Sequence, residues 1–188
     1  MQDVQSRPDS RGIDIQKVGV KNVHLPLQIA TKAGGWQSVL GNASLSVELP
    51  MQFKGTHMSR FIEVLLSWSQ KPISNVSITS ILRETCESLS ATKAHISIRF
   101  KYFVSKCAPV SGRESILDYN CEFSGAVDGS RHTFIMGVEV PVTSCCPCSK
   151  EISSFGAHNQ RTMIRARVRF IVFWGPQPAD NDPSARSV

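Results

Sequence analysis

Three cysteines and one histidine in the last third of the sequence are the residues best suited to chemistry. Cys145, Cys146 and Cys148 lie within four positions, and His158 follows ten residues later. A thiolate and an imidazole brought together by a short turn suit Zn²⁺ or a neighbouring first-row metal. A metal with few protein ligands keeps a position for a water, whose pKa then falls to about 7. The stretch therefore indicates a metal site that can activate water.

Two other interpretations of these residues stay open. Cys146 and Cys148 could form a redox pair, although the spacing differs from the C-x-x-C of thioredoxin-like proteins. Cys146, Cys148 and His158 could instead hold a closed structural zinc. Because neighbouring residues of an extended segment point to opposite sides, only one of Cys145 and Cys146 is expected to be a ligand. We expect Cys145 to lie in the core.

A second group of basic residues precedes a predicted helix. Lys54, His57 and Arg60 lie around Gly55, where backbone N–H groups and positive charge suit a triphosphate. These residues are predicted to hold phosphate or to assist proton transfer. The alternative is a helix start with a solvated basic rim. Three further histidines have no ligand-like neighbours and are predicted to be ordinary strand or loop residues: His24, His95 and His132.

Four arginines recur near the end of the sequence at alternate or nearly alternate positions. Arg161, Arg165, Arg167 and Arg169 fall on one face of a strand by its period of two. This row could meet a triphosphate or the acidic surface of a neighbouring subunit, and we favour a solvated or interface role. Arg161 is kept as a candidate substrate-binding residue.

Hydrophobic periodicity predicts the elements that position these residues. Alternation predicts strands at about 17–27, 43–49, 95–104, 119–127, 133–142 and 163–173, and helical spacing predicts helices at about 58–66 and 78–89. A short helix is expected after Pro147. This order predicts an α+β fold, an antiparallel sheet with both helices on one face. Apolar residues left on the second face would make the sheet close into a barrel or pair with other subunits.

Composition limits the functional class. The 188 residues are 41% hydrophobic and 19% charged, as expected of one soluble globular domain. No apolar run is long enough for a membrane span, and the N-terminus does not resemble a signal peptide, so we expect a cytoplasmic protein without a membrane partner. The net charge of +6 favours an anionic partner. Nucleic acid is not expected, because no recognised binding motif is present.

Four segments of the sequence resemble one known family. Residues 140–150 and 156–161, together with 54–64 and 18–21, are similar to the type IB GTP cyclohydrolase I family, also called FolE2. The resemblance implies a tunnelling fold (T-fold), in which sheets with paired helices assemble into a barrel, and a cytoplasmic homotetramer built as a dimer of dimers. The resemblance assigns residues 13–173 to the T-fold domain, with its second half incomplete, and the polar composition of segments 1–12 and 174–188 predicts that the first is flexible and the second disordered.

The reaction that the resemblance implies converts GTP and water to 7,8-dihydroneopterin triphosphate and formate, in tetrahydrofolate biosynthesis. A metal-activated water attacks C8 of the purine, and C8 leaves as formate. By the same resemblance, Cys146 is the catalytic, metal-binding cysteine and His158 is a metal ligand. Cys148 is expected to support the site from outside the ligand set. The divalent metal is expected to be Zn²⁺ or Mn²⁺, with Fe²⁺ or Co²⁺ as alternatives.

The resemblance weakens after about Phe170. Family members continue with a second half that supplies an acidic metal ligand and a carboxylate that recognises the purine. No matching acid follows Cys146, where Glu151, Asp180 and Asp182 are the acidic residues. We therefore expect weakened metal binding, reduced activity and an uncovered sheet face.

Three functions remain to be distinguished. The first is a metal-dependent GTP cyclohydrolase. The second is a non-catalytic, metal-stabilised T-fold protein, which a chelator would unfold and GTP would not affect. The third is another T-fold enzyme of pterin or purine chemistry, such as a queuosine-pathway reductase, which would use a nucleophilic cysteine and a nicotinamide cofactor.

Overall fold

The computed structural model describes residues 14–32, 34–51, 55–154 and 158–173. The strands are β1 (Ile15–Ala30), β2 (Trp36–Leu49), β3 (Pro72–Ile73), β4 (Lys93–Cys107), β5 (Glu114–Asp128), β6 (Arg131–Cys145) and β7 (Asn159–Phe173). The helices are α1 (Met58–Ser69), α2 (Asn75–Leu89) and α3 (Pro147–Ile152). The expected flexible segment 1–12 and disordered tail 174–188 lie outside the described residues.

The strands form one sheet in the order β3-β1-β2-β4-β5-β6-β7. The short β3 runs parallel to β1, and the other neighbouring pairs are antiparallel. β1 and β2 form one hairpin, and β4 to β7 follow one another as a meander. β2 and β4 pair across the segment that contains α1 and α2. This architecture confirms the predicted α+β class.

Both long helices lie on one face of the sheet and build the core with it. Alternate residues of β2 and β4 point into this face, among them Leu45 and Ile98, which are almost fully buried. α1 contributes Phe61 and α2 contributes Ile78 to the same cluster. Because the apolar residues follow a period of two in the strands and 3.6 in the helices, the sequence pattern alone places them on facing surfaces.

β1 changes its phase at a bulge. The register shifts between Val20 and Val23, and Asn22 has φ of 56°. Its backbone N–H donates to the Ser44 hydroxyl at 3.3 Å. Asn tolerates this left-handed conformation better than most residues. The extra residue moves the inward-facing set from even to odd positions, so Leu25 and Leu27 are buried.

The face opposite the helices, called here the open face, is polar in the half of the sheet nearer Lys93 and mixed toward the end nearer Cys145. It carries serines and charged residues such as Ser97, Arg99 and Glu122, which alternate with the buried positions of their strands. Apolar residues of the second face, as expected from the sequence, are present toward the end nearer Cys145, where the open face exposes Leu40, Phe103, Ile116 and Met163. A stripe of exposed apolar residues of β6 and β7 lies on the helix side, and this apolar stripe consists of Met136, Ile164, Val168 and Phe170. α1 packs mainly on β1, and α2 packs mainly on β5 and β4, so the helices leave this part of β6 and β7 uncovered.

The two ends of the sheet are distinguished by the residues they carry. The register places Leu49, Lys93 and Arg131 at one end, called the Lys93 end. Cys107 and Cys145 lie at the other, called the Cys145 end. The described helices include none with the length and apolar character needed to cross a membrane.

Candidate functional site

The connection between β6 and β7 holds the cysteines and the histidine. Cys145, the last residue of β6, pairs with Asn159, the first residue of β7. Cys146 occupies the N-cap position of α3, and Pro147 is the first helical residue, a position that suits proline because its missing N–H would be unpaired there anyway. The predicted short helix after Pro147 is confirmed. The connection begins and ends at neighbouring points of the sheet edge.

Main-chain hydrogen bonds bring Cys146 and His158 together. The Cys146 N–H donates to the His158 carbonyl oxygen at 3.3 Å, which continues the β6–β7 pairing by one step. The His158 N–H donates to the Ser149 hydroxyl at 3.3 Å. The Lys150 N–H donates to the Cys146 carbonyl at 3.2 Å. Both residues are therefore fixed by backbone contacts, which leaves the thiol and the imidazole available for a ligand.

The side chains at this site differ in their exposure. Cys146 is half-buried, whereas Cys148 and His158 are exposed. Cys145 is also exposed, so the expectation that it belongs to the core was wrong. It lies at the end of β6 on the open face, away from the helices that cover the core.

Donor chemistry at Cys146 and His158 fits a divalent metal, since a thiolate and an imidazole are usual zinc ligands. Catalytic zinc sites have three protein ligands. Within the described residues, no group of three or more His, Cys, Asp or Glu side chains is placed to hold a metal. The described part of one chain thus offers two adjacent donors and no complete ligand set.

The second basic group lies elsewhere. His57 is the N-cap residue of α1, and Arg60 donates from Nη1 to the Ser88 carbonyl near the end of α2 at 2.7 Å. Both residues lie at the Lys93 end. β6, with 15 residues, spans roughly 45 Å at about 3.3 Å per residue, so one chain holds this group far from Cys146. Lys54 lies outside the described residues.

The arginines of β7 share the open face, as their periodicity predicts. Two of them bind acidic residues: Arg165 donates to Glu139, with Nε at 2.7 Å from Oε1, and Arg167 Nη2 is 3.5 Å from Glu122 Oε2. A hydrogen bond from Asn120, and a second from Arg165, hold the pKa of Glu139 below its ordinary value. Arg165 and Arg167 are therefore part of ion pairs within the chain.

Arg161 differs from these two arginines. It lies opposite Thr143, close to the Cys145 end, and is exposed. In the part of the chain that the structure describes, it has no ion pair. Arg161 lies on β7, which begins directly after His158. Among the candidate substrate-binding residues that the structure describes, it is therefore the one near the Cys146 site.

Sequence reasoning missed Ser149 as a residue that fixes the site. Its hydroxyl accepts the His158 N–H, and it lies between Cys148 and Lys150 without a distinctive motif of its own. The acidic partners Glu122 and Glu139 were missed as well. Their positions opposite arginines depend on the strand register, which cannot be read from the sequence alone.

Comparisons with known proteins agree on one family. The model of the type I GTP cyclohydrolase folE2 family matches residues 1–182. A protein named GTP cyclohydrolase FolE2 from Magnetococcus marinus is 49% identical over 173 residues, which is 92% of this chain and 65% of the relative. The protein of the same name from Syntrophus aciditrophicus is 48% identical and covers 93% of this chain and 68% of the relative. The chain thus spans about two thirds of the length of these curated relatives.

Proposed function

The chain belongs to the type I GTP cyclohydrolase FolE2 family, and from this membership we propose that it acts as a GTP cyclohydrolase. The reaction converts GTP and water to 7,8-dihydroneopterin triphosphate and formate, by addition of water at C8 of the purine and release of that carbon. The relatives that carry this name are 44–49% identical to the chain. The proposal includes GTP as the substrate and further copies of this chain as the partners.

One observation of the structure supports the proposal most directly. Cys146 and His158 are twelve residues apart in sequence, yet the Cys146 N–H donates to the His158 carbonyl. Residues that share a main-chain hydrogen bond can direct their side chains to one ion. Cys146 and His158 would hold the divalent metal, Zn²⁺ or Mn²⁺ first, with Cys146 as the catalytic cysteine. The chemistry that such an ion supplies when bound is a lower pKa for a water, of about 7.

The residues of the chain have separate tasks in this proposal. The half-buried Cys146 supplies a thiolate, and the exposed His158 supplies an imidazole on the solvent side. Ser149 keeps the His158 main chain in place through its hydroxyl. Arg161 offers a guanidinium for a phosphate group of GTP, and Cys148 lies on the first turn of α3 outside the ligand pair.

Assembly is part of the proposal. His57 and Arg60 lie at the Lys93 end, whereas Cys146 and His158 lie at the Cys145 end of the same sheet. A site that uses both groups needs them from two copies of the chain. We propose a T-fold barrel and a homotetramer for this reason, in which the Lys93 end of one copy adjoins the Cys145 end of another. A third metal ligand then comes from outside the described residues of one chain.

The test is a metal-dependent activity assay. The protein is stripped of metal with a chelator, Zn²⁺ or Mn²⁺ is added back, and GTP turnover is followed by the fluorescence of the oxidised neopterin product. We expect turnover only with added metal. Removal of a residue that only supports a metal ligand lowers activity by about 10- to 100-fold. Cys146→Ala removes a ligand itself, so it should lower GTP turnover by more than that.

Cys145→Ala is the matched control, since it removes the neighbouring thiol. It should leave turnover within about twofold, because Cys145 is exposed and outside the ligand pair. Titration with Co²⁺ gives a readout independent of activity: the thiolate-to-metal absorption band should be lost in Cys146→Ala and kept in Cys145→Ala. Turnover without metal, or an active Cys146→Ala, would contradict the proposal. A cobalt band without turnover would favour a non-catalytic, metal-stabilised protein.

A further inference from the structure

A cavity on the open face is lined by hydroxyl groups and lies apart from the Cys146 site. Its volume is about 390 Å³, and its lining comes from β1, β2, β4, β5 and β6. Ser44, Ser97 and Ser124 lie in one row across three neighbouring strands. Ser46 and Thr133 lie in the next row toward the Lys93 end, on either side of His95 and Ala126. The cavity floor is therefore a two-row band rich in O–H donors.

Two lysines supply the charge at this cavity. Lys17 and Lys21 both line it, and they flank Gly19 on β1. A Cβ at Gly19 would lie 2.1 Å from the Leu45 carbonyl oxygen, so β1 approaches β2 closely between the two lysines. Neither ammonium has a hydrogen bond or an ion pair in the described residues. The lining contains no Asp or Glu.

The hydroxyl groups are only partly used by the chain itself. Ser97 and Ser124 both donate to Glu122 Oε1, at 3.2 and 3.0 Å. Ser44 accepts the Asn22 N–H, so its own proton remains to be donated. The structure gives Ser46 no side-chain hydrogen bond among its described residues. Half-buried O–H groups beside unpaired ammonium groups are the usual surroundings of a bound anion.

The larger cavity of the same face shows the contrast. It measures about 550 Å³ and is lined by Lys101, Arg165 and Arg167, but also by Glu122 and Glu139. Three of the cations have an acidic partner: Lys101 Nζ lies 2.6 Å from Asp118, and the two arginines bind Glu139 and Glu122. Arg99 also lines this cavity. An anion entering this cavity would compete with carboxylates. The lining of the smaller cavity contains no carboxylate of its own, and Glu122 reaches it only through the hydroxyls of Ser97 and Ser124.

We propose that the cavity between Lys17 and Lys21 binds a phosphate group, most strongly as an oligophosphate. The two ammonium groups pair with the phosphate oxygens, and the hydroxyls of Ser44 and Ser46 donate to them from the floor. The site belongs to the Lys93 half of the open face and does not use Cys146 or His158. It therefore goes beyond the proposed metal chemistry and exists whether or not that chemistry occurs.

The experiment is calorimetric titration of the metal-free protein with inorganic tripolyphosphate and with orthophosphate. The double variant Lys17→Gln/Lys21→Gln should raise the Kd for tripolyphosphate at least about tenfold, since it removes two charge-assisted contacts. Ser46→Ala should raise it by about two- to fivefold. Tripolyphosphate should bind more tightly than orthophosphate.

The matched control, Lys101→Gln/Lys106→Gln, removes the same charge from β4 outside the cavity. It should change the Kd by less than about twofold, since net charge alone acts weakly on a specific contact at physiological salt. Equal weakening in both double variants would overturn the proposal, because it would indicate a diffuse basic surface. So would the absence of tripolyphosphate binding to the unchanged protein.

Titration with GTP identifies the source of the phosphate. If Lys17→Gln/Lys21→Gln weakens GTP and tripolyphosphate alike, the site takes the triphosphate of GTP, an assignment that rests on the proposed function. If it weakens tripolyphosphate and leaves GTP unchanged, the site takes a different phosphate compound. Both results support a phosphate site, and loss of GTP turnover for other reasons alters neither.

Discussion

At the scale of single residues, Cys146 and His158 owe their proximity to main-chain pairing. The Cys146 N–H and the His158 carbonyl extend the β6–β7 ladder by one bond. Substitution of a neighbouring side chain therefore leaves the two backbones together, whereas substitution of either residue removes one donor for the metal. Comparison of Cys146→Ala with Cys145→Ala therefore distinguishes loss of a metal donor from a change in the backbone.

A titration prediction belongs to the same scale. The hydrogen bonds from Asn120 and Arg165 depress the pKa of Glu139 in the folded chain. A carboxyl group whose pKa is lower in the folded than in the unfolded chain stabilises the fold at pH values above its unfolded pKa. This stabilisation is lost as the pH falls through the folded pKa. We expect Asn120→Ala and Arg165→Gln each to raise the pKa of Glu139, measured by carboxyl carbon NMR. Arg161→Gln, on the same strand, should leave it unchanged.

The opposite result would revise the interpretation of this pair. A Glu139 pKa that stays the same in both variants would show that Asn120 and Arg165 do not bind the carboxylate in solution. The observed contacts would then be one of several side-chain arrangements on an exposed surface.

At the scale of the elements, the sequence predicts most of the fold. The periodicity of Met58–Ser69 and Asn75–Leu89 is strong enough to place both helices, although two apolar residues of the first, Met58 and Leu66, are exposed. The hairpin at Gly129 follows from Asp128-Gly129, and the residue has φ of 57°. The two-residue β3 was missed, because so short a strand has no periodicity of its own.

The site was predicted less completely than the fold, for a physical reason. Cysteine and histidine are common metal ligands, so Cys146 and His158 could be identified as candidates from the sequence alone. The Ser149 contact depends on how α3 turns back, and the ion pair of Arg167 with Glu122 crosses three strands. Such contacts depend on register and loop geometry, which composition and spacing do not encode.

Packing of α1 on the sheet provides a stability prediction. Phe61 is fully buried in the core, whereas Leu66 of the same helix is 49% exposed. Phe61→Ala should lower the free energy of unfolding by about 3–5 kcal/mol, since it removes buried area and leaves a cavity. Chemical denaturation followed by circular dichroism measures this loss.

Leu66→Ala is the control on the same helix and should cost less than about 1 kcal/mol. Similar losses for Phe61→Ala and Leu66→Ala would mean that α1 does not pack on the sheet through the face that the structure assigns.

At the scale of the whole molecule, the distribution of apolar surface is uneven. The strands under α1 and α2 are well covered, while the apolar stripe of Met136, Ile164, Val168 and Phe170 is exposed on the helix side. Contiguous apolar patches of this kind are uncommon on monomeric proteins and favour association. The uncovered face predicted from the sequence is thus present, although on the side that holds the helices.

This stripe should bind a hydrophobic dye. Val168→Glu places a charge in its middle, so we expect it to lower the fluorescence of bound anilinonaphthalene sulfonate several-fold and to slow aggregation. Val76→Glu on α2, whose side chain is 58% exposed outside the stripe, controls for the added charge. Dye fluorescence that falls equally in both variants would show that the stripe is not the binding surface.

The pairing of β2 with β4 has a consequence for how the chain folds during synthesis. The meander β4 to β7 closes through connections between consecutive strands, so each step costs little loop entropy. The β1–β2 hairpin leaves the ribosome earlier, but its apolar face is covered only after α1 and α2 have followed, and β2 gains its second partner strand only with β4. The nascent chain therefore exposes Leu45 and its neighbours throughout that interval, which makes the first hairpin the segment most in need of a chaperone.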